Sequence, residues 1–396
     1  MRTVTVVGAS LSGLYAAREL RAQGFDGRLV IVGDEPHPPY DRPPLSKEYL
    51  TGGADEDRLA LTDAEETAEL DAEWLLGIRA RGLDARGRTV MLDDGRTVST
   101  DGVVVATGAS ARHLTGDRPA DDRLAGVHTL RTLADARALR ADLTRGPRRV
   151  VVVGGGFIGA ETASSCAALG HAVTVVEAAP LPLVPQLGPQ MAAVYAALHR
   201  RGGVGLVTGA SVRALRGGSA VTAVALADGR TLPAEVVVVG IGATPNTAWL
   251  AGSPLVLNDG VLCDDGCVTS LPQVVAVGDV ARVGGTRAEH WTSATRQPRA
   301  AVANLLAGRT VHSARCVPYF WSDQYGARLQ FAGRRRAGDT VRVIEGEVAD
   351  DVPGESGLLA RYERDGRTTA VLAVDRPRSF TRARRELARE ADAVPA

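Results

Sequence analysis

One lysine, Lys47, stands among 46 lysine and arginine residues; all the others are arginine. It lies in the stretch PYDRPPLSKEYL, residues 39–50. A GC-rich coding sequence that kept one lysine by chance would produce this. So would a site where arginine does not fit. Arginine carries a broad planar fork that is always charged, whereas lysine is a compact point charge whose proton affinity burial can move. The stretch alone leaves both open.

The other residues whose spacing suggests chemistry are glycines and acids. GGGFIG, residues 154–159, follows the apolar run RVVVV and precedes a helical pattern. In a dinucleotide-binding turn Gly154 makes the tight bend. Gly156 lets a pyrophosphate approach the backbone, and Gly159 lets helix and strand pack closely. Phe157 and Ile158 lie inside the same turn. Glu177 ends the next apolar run and can accept both ribose hydroxyls of an adenosine. A second copy, GASLSG (8–13), keeps Gly8 and Gly13 but has Ser10 at the middle position. Serine is the smallest substitute that still lets a phosphate come near. Aligning the strands puts Gly33 opposite Glu177, with Asp34 and Glu35 immediately after; Glu35 is the favoured ribose ligand.

These residues sit in a repeated unit. Residues 3–35 and 149–177 both read as buried parallel strand, glycine turn, helix, loop and strand. Each helical pattern ends at a glycine, Gly24 or Gly170, at the same distance from the last motif glycine. Two dinucleotide units in one chain suggest two dinucleotides, and the usual chemical reason is hydride transfer from a nicotinamide to a flavin. Three further runs fit: VVVATGAS (103–110), VVVVGIGATPN (236–246) and VVAVGDVA (274–281). The last ends a strand at Gly278–Asp279, where Asp279 could hydrogen-bond a ribityl chain.

Bulk composition narrows the alternatives. At 396 residues the chain has room for two or three domains. Its formal net charge is zero and its isoelectric point is about 7.1, which gives no global field for nucleic acid or a membrane. The apolar runs are strand-sized, so no membrane span is expected. The N-terminus has no secretory pattern. Cys166, Cys263, Cys267 and Cys316 form no CxxC, so neither zinc nor a disulfide framework is expected. The expectation is a cytoplasmic protein with no metal.

With these motifs in view, the chain resembles the FAD-dependent, NADH-using ferredoxin reductases of oxygenase systems, such as putidaredoxin and rhodocoxin reductase. The resemblance rests on YDRPPLSK (40–47), ATGA (106–109), GGGFIGAE (154–161), GIGATPN (240–246), AVGDVA (276–281), EHW (289–291) and PYFWSDQYG (318–326). It implies an α/β fold with two nested Rossmann-like domains, for FAD and NADH, and a small α+β C-terminal domain. The FAD domain would comprise 1–112 and 243–315, the NADH domain 113–242 and the C-terminal domain 316–396. From 327 the sequence turns to short, arginine-rich alternating strands and a helical tail, which agrees.

The resemblance also implies roles. Arg42, Lys47, Ala106, Thr107, Gly108, Arg131, Asp279, Glu289, His290, Trp291 and Trp321 would lie at FAD. Gly240, Ile241 and Gly242 would join the NADH turn. Glu161 would sit by the nicotinamide and pair with Lys47. The implied partner is an acidic iron–sulfur ferredoxin and, through it, a haem or Rieske-type oxygenase. Pro298, inside WTSATRQP, departs from the pattern and casts doubt on a helix start there.

Two rival classes share some of these features. A disulfide reductase or NADH oxidase of the same superfamily needs a redox cysteine near the first helix, and none is present; Cys263 and Cys267 read as structural. A non-enzymatic flavoprotein that binds nucleic acid needs a dominant basic surface, which zero net charge disfavours.

Overall fold

The run TVTVV forms the strand Thr3–Val7, and RVVVV forms Arg149–Val153. Each is buried along its length after the first residue, as a central parallel strand must be. The computed structural model describes residues 1–86, 88–114, 124–349, 352–353 and 357–392. Contacts divide the chain into two compact units. The first is Met1–Asp41, Asp57–Ser110 and Thr244–Pro318; the second is Arg42–Glu56, Ala111–Ala243 and Tyr319–Ala396. Residues 42–56 thus belong to the second unit although they follow the first βαβ motif in sequence.

The first unit centres on a five-stranded parallel sheet. Its order is Val274–Ala276, Gly102–Val105, Thr3–Val7, Arg28–Gly33 and Ala72–Leu76. The helices Leu11–Ala22 and Trp291–Ala307 cover one face through Leu14, Leu20, Val302 and Leu305. The second helix runs straight through Pro298, so the doubt about its start is not borne out: it begins at Trp291. Proline removes one backbone bond and crowds the preceding turn. The burial of Ala300, Ala301, Val302 and Leu305 beyond it offsets that cost.

The second unit repeats the plan. Its parallel sheet runs Gly205–Val207, Ala172–Val176, Arg149–Val153, Val236–Val239 and Val127–His128. It also contains an antiparallel five-stranded sheet, Tyr319–Gln324, Ala327–Gly333, Arg367–Val374, Leu358–Arg364 and Thr340–Glu345. The helix Pro377–Asp392 buries Phe380, Ala383 and Leu387 beside it. The expected α/β class, with two Rossmann-like sheets and an α+β C-terminal module, is what the chain forms.

The repeat holds at the level of single atoms. Gly8 and Gly154 both have positive φ, at 119° and 106°. A Cβ on Gly8 would stand 2.1 Å from the carbonyl oxygen of Ala106, and one on Gly154 would stand 2.3 Å from that of Gly240. Each motif's first glycine is therefore pressed against the turn that follows a neighbouring strand. Gly13 and Gly159 press in the same way on the carbonyls of Gly8 and Gly154.

Candidate functional site

The middle position of the turn explains Ser10. Ser10 and Gly156 both cap their helices in extended conformation, with φ of −103° and −69°. Any L-residue adopts such angles, so serine is tolerated there. A Cβ on Gly156 would meet nothing within 4 Å, and the helix Phe157–Ala168 starts there. An open helix N-terminus of this kind suits a phosphate. Ile158 and Ile241 nearby leave 47% and 38% of their surface in water. Phe157 turns inward instead and packs on Tyr195 and Phe320. The Tyr195 hydroxyl, fully buried, donates to the carbonyl of Gly156 at 3.2 Å.

Glu177 is held rigidly. Its carboxylate accepts from the N–H of Gly155 at 2.8 Å and from that of Ala179 at 2.9 Å. A carboxylate has about four acceptor positions, so room for ribose hydroxyls remains. Gly240 lies at the back of this turn, and Gly242 bends with φ of 99°.

In the first unit, Glu35 accepts the Tyr40 hydroxyl at 2.6 Å, whereas Asp34 is exposed and has a loose Arg79 contact at 3.4 Å. The Ala106–Gly108 turn is clamped by Asn246. Thr107 Oγ1 donates to its carbonyl and its side-chain amide donates to the Thr107 carbonyl, both at 2.8 Å; its N–H donates to Gly108. Asp279 sits on the 3-10 turn Gly278–Val280, and the Gly278 N–H donates to buried Gln297 at 2.7 Å. Arg287 reaches the Asp279 carbonyl and pairs with Glu289. His290 caps the helix that starts at Trp291, and the Trp291 indole N–H donates to Asp41 at 3.1 Å.

The second unit gathers the rest. Pro43 and Pro44 preset the 3-10 turn Pro43–Ser46, which has Arg42 at its start and Lys47 at its end. Leu50 anchors the segment in a core with Leu139, Val152, Ala163 and Cys166. Burying one such leucine is worth about 1.5–3 kcal/mol. Arg42 donates to the Arg131 carbonyl at 2.5 Å, which joins two of the expected FAD residues. Lys47 Nζ donates to Glu161 Oε2 at 2.7 Å, with both side chains largely buried.

Glu161 is the node of the cluster. Its Oε2 also accepts from Ser46 Oγ at 2.6 Å. Its Oε1 accepts from Ser322 Oγ at 2.8 Å and from the Asp323 N–H at 3.3 Å. Three of the most specific stretches, DRPPLSK, GGGFIGAE and PYFWSDQYG, therefore meet on one carboxylate. Among the described residues Nζ finds Glu161 and, at 3.4 Å, Ser46, so one of its three N–H groups is left over. Burial pushes the Asp323 carboxyl above its ordinary range, against the pull of Arg328 and Lys47. Trp321 lies on the same strand and stacks on Tyr319 at 5.8 Å, and the Arg384 guanidinium covers Tyr319 at 4.2 Å.

Sequence reasoning missed Ser46, Ser322, Asn246, Gln297 and Tyr195. Ser46, Ser322, Asn246 and Gln297 lie inside the stretches DRPPLSK, PYFWSDQYG, GIGATPN and WTSATRQP, but their partners are distant in sequence, and Tyr195 carried no signal at all. All four cysteines are free thiols; Cys166, Cys263 and Cys267 are buried, Cys316 is half-buried, and burial pushes the thiols of Cys166 and Cys263 up to about 12.

Comparison with known proteins agrees with this geometry. Residues 2–298 match the pyridine nucleotide-disulphide oxidoreductase family, and 319–396 match the reductase C-terminal family. The chain belongs to the pyridine nucleotide-disulphide oxidoreductase family. It is 38% identical over 398 residues to the ferredoxin reductase component of chlorobenzene dioxygenase from Cupriavidus sp. (strain PS12), covering 99% of this chain and 94% of that one. It is 34% identical to rhodocoxin reductase of Rhodococcus erythropolis, covering 99% and 91%. The solved covalent complex of putidaredoxin reductase with putidaredoxin superposes with a TM-score of 0.91 at 32% identity, covering 98% of this chain and 93% of that one. Among the described residues no helix is long and apolar enough to cross a membrane, and no cluster of side chains could hold a metal ion.

Proposed function

We propose that the chain is an NADH-dependent ferredoxin reductase serving an oxygenase. Bound FAD would supply the chemistry that turns a hydride from NADH into single electrons for an iron–sulfur ferredoxin. The observation that carries the reading is the Lys47–Glu161 pair, an ammonium with one N–H to spare and a carboxylate that fixes it. A fixed cation beside a flavin favours the charge that hydride transfer brings.

The remaining roles follow the motifs. Gly8, Ser10 and Gly13 receive the FAD pyrophosphate, Glu35 its ribose, and Asp279 its ribityl or phosphate end. Ala106, Thr107, Gly108, Arg42, Arg131, Glu289, His290, Trp291 and Trp321 line the flavin. Gly154, Gly156 and Gly159 receive the NADH pyrophosphate. Glu177 takes the adenosine ribose, and Ile158, Ile241 and Gly242 cover the nucleotide. The domains are 1–112 with 243–315 for FAD, 113–242 for NADH and 316–396 for the C-terminal module. The protein works in the cytoplasm.

The test is anaerobic. One equivalent of NADH should bleach the bound flavin, and a [2Fe–2S] ferredoxin from the same genome should then re-oxidise it, two ferredoxins for each NADH. Bleaching with no ferredoxin in a genome-wide panel reduced would overturn the assignment.

A further inference from the structure

We propose that Tyr40 is a positioning residue: its hydroxyl aims the Glu35 carboxylate at the adenosine ribose of FAD, in place of the backbone N–H groups that hold Glu177 in the second unit. The role of Glu35 at the ribose rests on the reading above; the hold of Tyr40 on Glu35 does not.

The two turns differ by an exchange of one side chain. The strand registers pair Val7 with Val32 in the first unit and Val153 with Val176 in the second, so Ala9 corresponds to Gly155 and Gly33 to Glu177. A Cβ on Gly155 would stand 3.2 Å from Glu177 Oε2 and 3.4 Å from Glu177 Cβ. The glycine thus leaves the acid its space, and its N–H donates to that acid at 2.8 Å. In the first unit the methyl of Ala9 fills the same space. A Cβ on Gly33 would stand 2.5 Å from the Ala9 Cβ, well inside carbon–carbon contact, so no acid fits at 33. The acid comes two residues later, as Glu35, and is fixed by a different donor.

Tyr40 is that donor. Its hydroxyl reaches Glu35 Oε2 at 2.6 Å, the short distance of a strong bond to a carboxylate. The backbone is pinned at both residues. The Glu35 carbonyl accepts from the Gly77 N–H at 3.1 Å. Beside Tyr40, the Asp41 N–H donates to the Leu59 carbonyl at 2.8 Å, and the Leu61 N–H donates to the Pro39 carbonyl at 3.1 Å. The Tyr40 ring is buried, so its oxygen is presented from a fixed place to a half-buried glutamate with many rotamers. Ordering that side chain in advance removes a cost that binding would otherwise carry.

The test follows FAD release from diluted holoenzyme by the rise in flavin fluorescence. Tyr40→Phe keeps the buried ring and removes one oxygen, and water reaches the half-buried Glu35 in its place, so the fold is retained. It should release FAD about tenfold faster than wild type. Glu35→Ala and Glu35→Ala/Tyr40→Phe should release FAD at one common rate, because Tyr40 acts through Glu35. Loaded instead with an FAD analogue built on 2′,3′-dideoxyadenosine, wild type and Tyr40→Phe should release it equally, since the ribose hydroxyls are gone. A purely structural tyrosine would speed release of FAD and analogue alike and add to Glu35→Ala; either result would overturn the proposal. Wild-type release from Tyr40→Phe beside fast release from Glu35→Ala would overturn it and leave Glu35 at the ribose. Wild-type release from Glu35→Ala would refute the placement of Glu35 at the ribose, and the proposal with it.

Discussion

Lys47 Nζ and Glu161 Oε2 meet at 2.7 Å across 114 residues of sequence. Leaving either charge buried alone would cost several kcal/mol, on the order of 3–5 for a broken pair. The two residues are therefore a unit, and removing one should disable the other.

Coenzyme choice should follow from Glu177. Its carboxylate is locked by the Gly155 and Ala179 N–H groups, and the chain continues Ala178, Ala179, Pro180 with no base to meet a 2′-phosphate. NADH should be preferred over NADPH by at least about tenfold in kcat/KM, roughly 1.4 kcal/mol. Steady-state kinetics with both coenzymes checks this; equal use would remove the role given to Glu177.

Ferredoxin docking should depend on the C-terminal helix more than on the 334–336 arginines. Arg335 is spent on the carbonyls of Val184 and Pro185, at 3.3 and 3.1 Å. Arg384, by contrast, lies over Tyr319, which stacks on Trp321. Arg382 pairs with Glu345 at 3.3 Å but remains exposed; reversing Arg382 and Arg385 to glutamate should slow ferredoxin reduction at low salt and leave ferricyanide reduction intact, because rim charges steer encounter. Equal loss of both activities, or of neither, would count against docking there.

Stability should fall in mild acid through His199. Burial pushes this histidine from its ordinary 6.5 down to about 4. Its Nδ1 meets the Tyr325 hydroxyl at 2.8 Å, and among the described residues Nε2 has no hydrogen-bond partner. With the folded value below the unfolded one, the unfolded chain binds the extra proton. The contribution is complete above pH 6.5 and is lost as pH falls toward 4, on the order of 3 kcal/mol. Urea melts across this window should show a smaller loss in His199→Gln, whose amide can still bond the Tyr325 hydroxyl. An unchanged slope would place the acid sensitivity elsewhere.

Much of this was legible in the sequence because it is local. Gly8, Gly154, Gly24 and Gly170 announce a repeated strand–turn–helix by their spacing, and the backbone angles repeat with them. The donors around Glu161 were not legible, because Ser46 and Ser322 lie 115 and 161 residues away and a serine hydroxyl has no pattern of its own. Pro298 misled for the opposite reason. Its local cost is real, but burial of the residues after it outweighs that cost.

Flavin reduction in Lys47→Arg, followed by anaerobic stopped-flow absorbance with NADH, tests the central claim most directly. Arginine keeps the charge but brings a wider planar head to a site where the ammonium is largely buried against Glu161 and Ser46. The variant should bind FAD normally and reduce it at least about tenfold more slowly than wild type, and Lys47→Ala should be slow as well. Reduction of Lys47→Arg at the wild-type rate would contradict the account and leave the single lysine to chance.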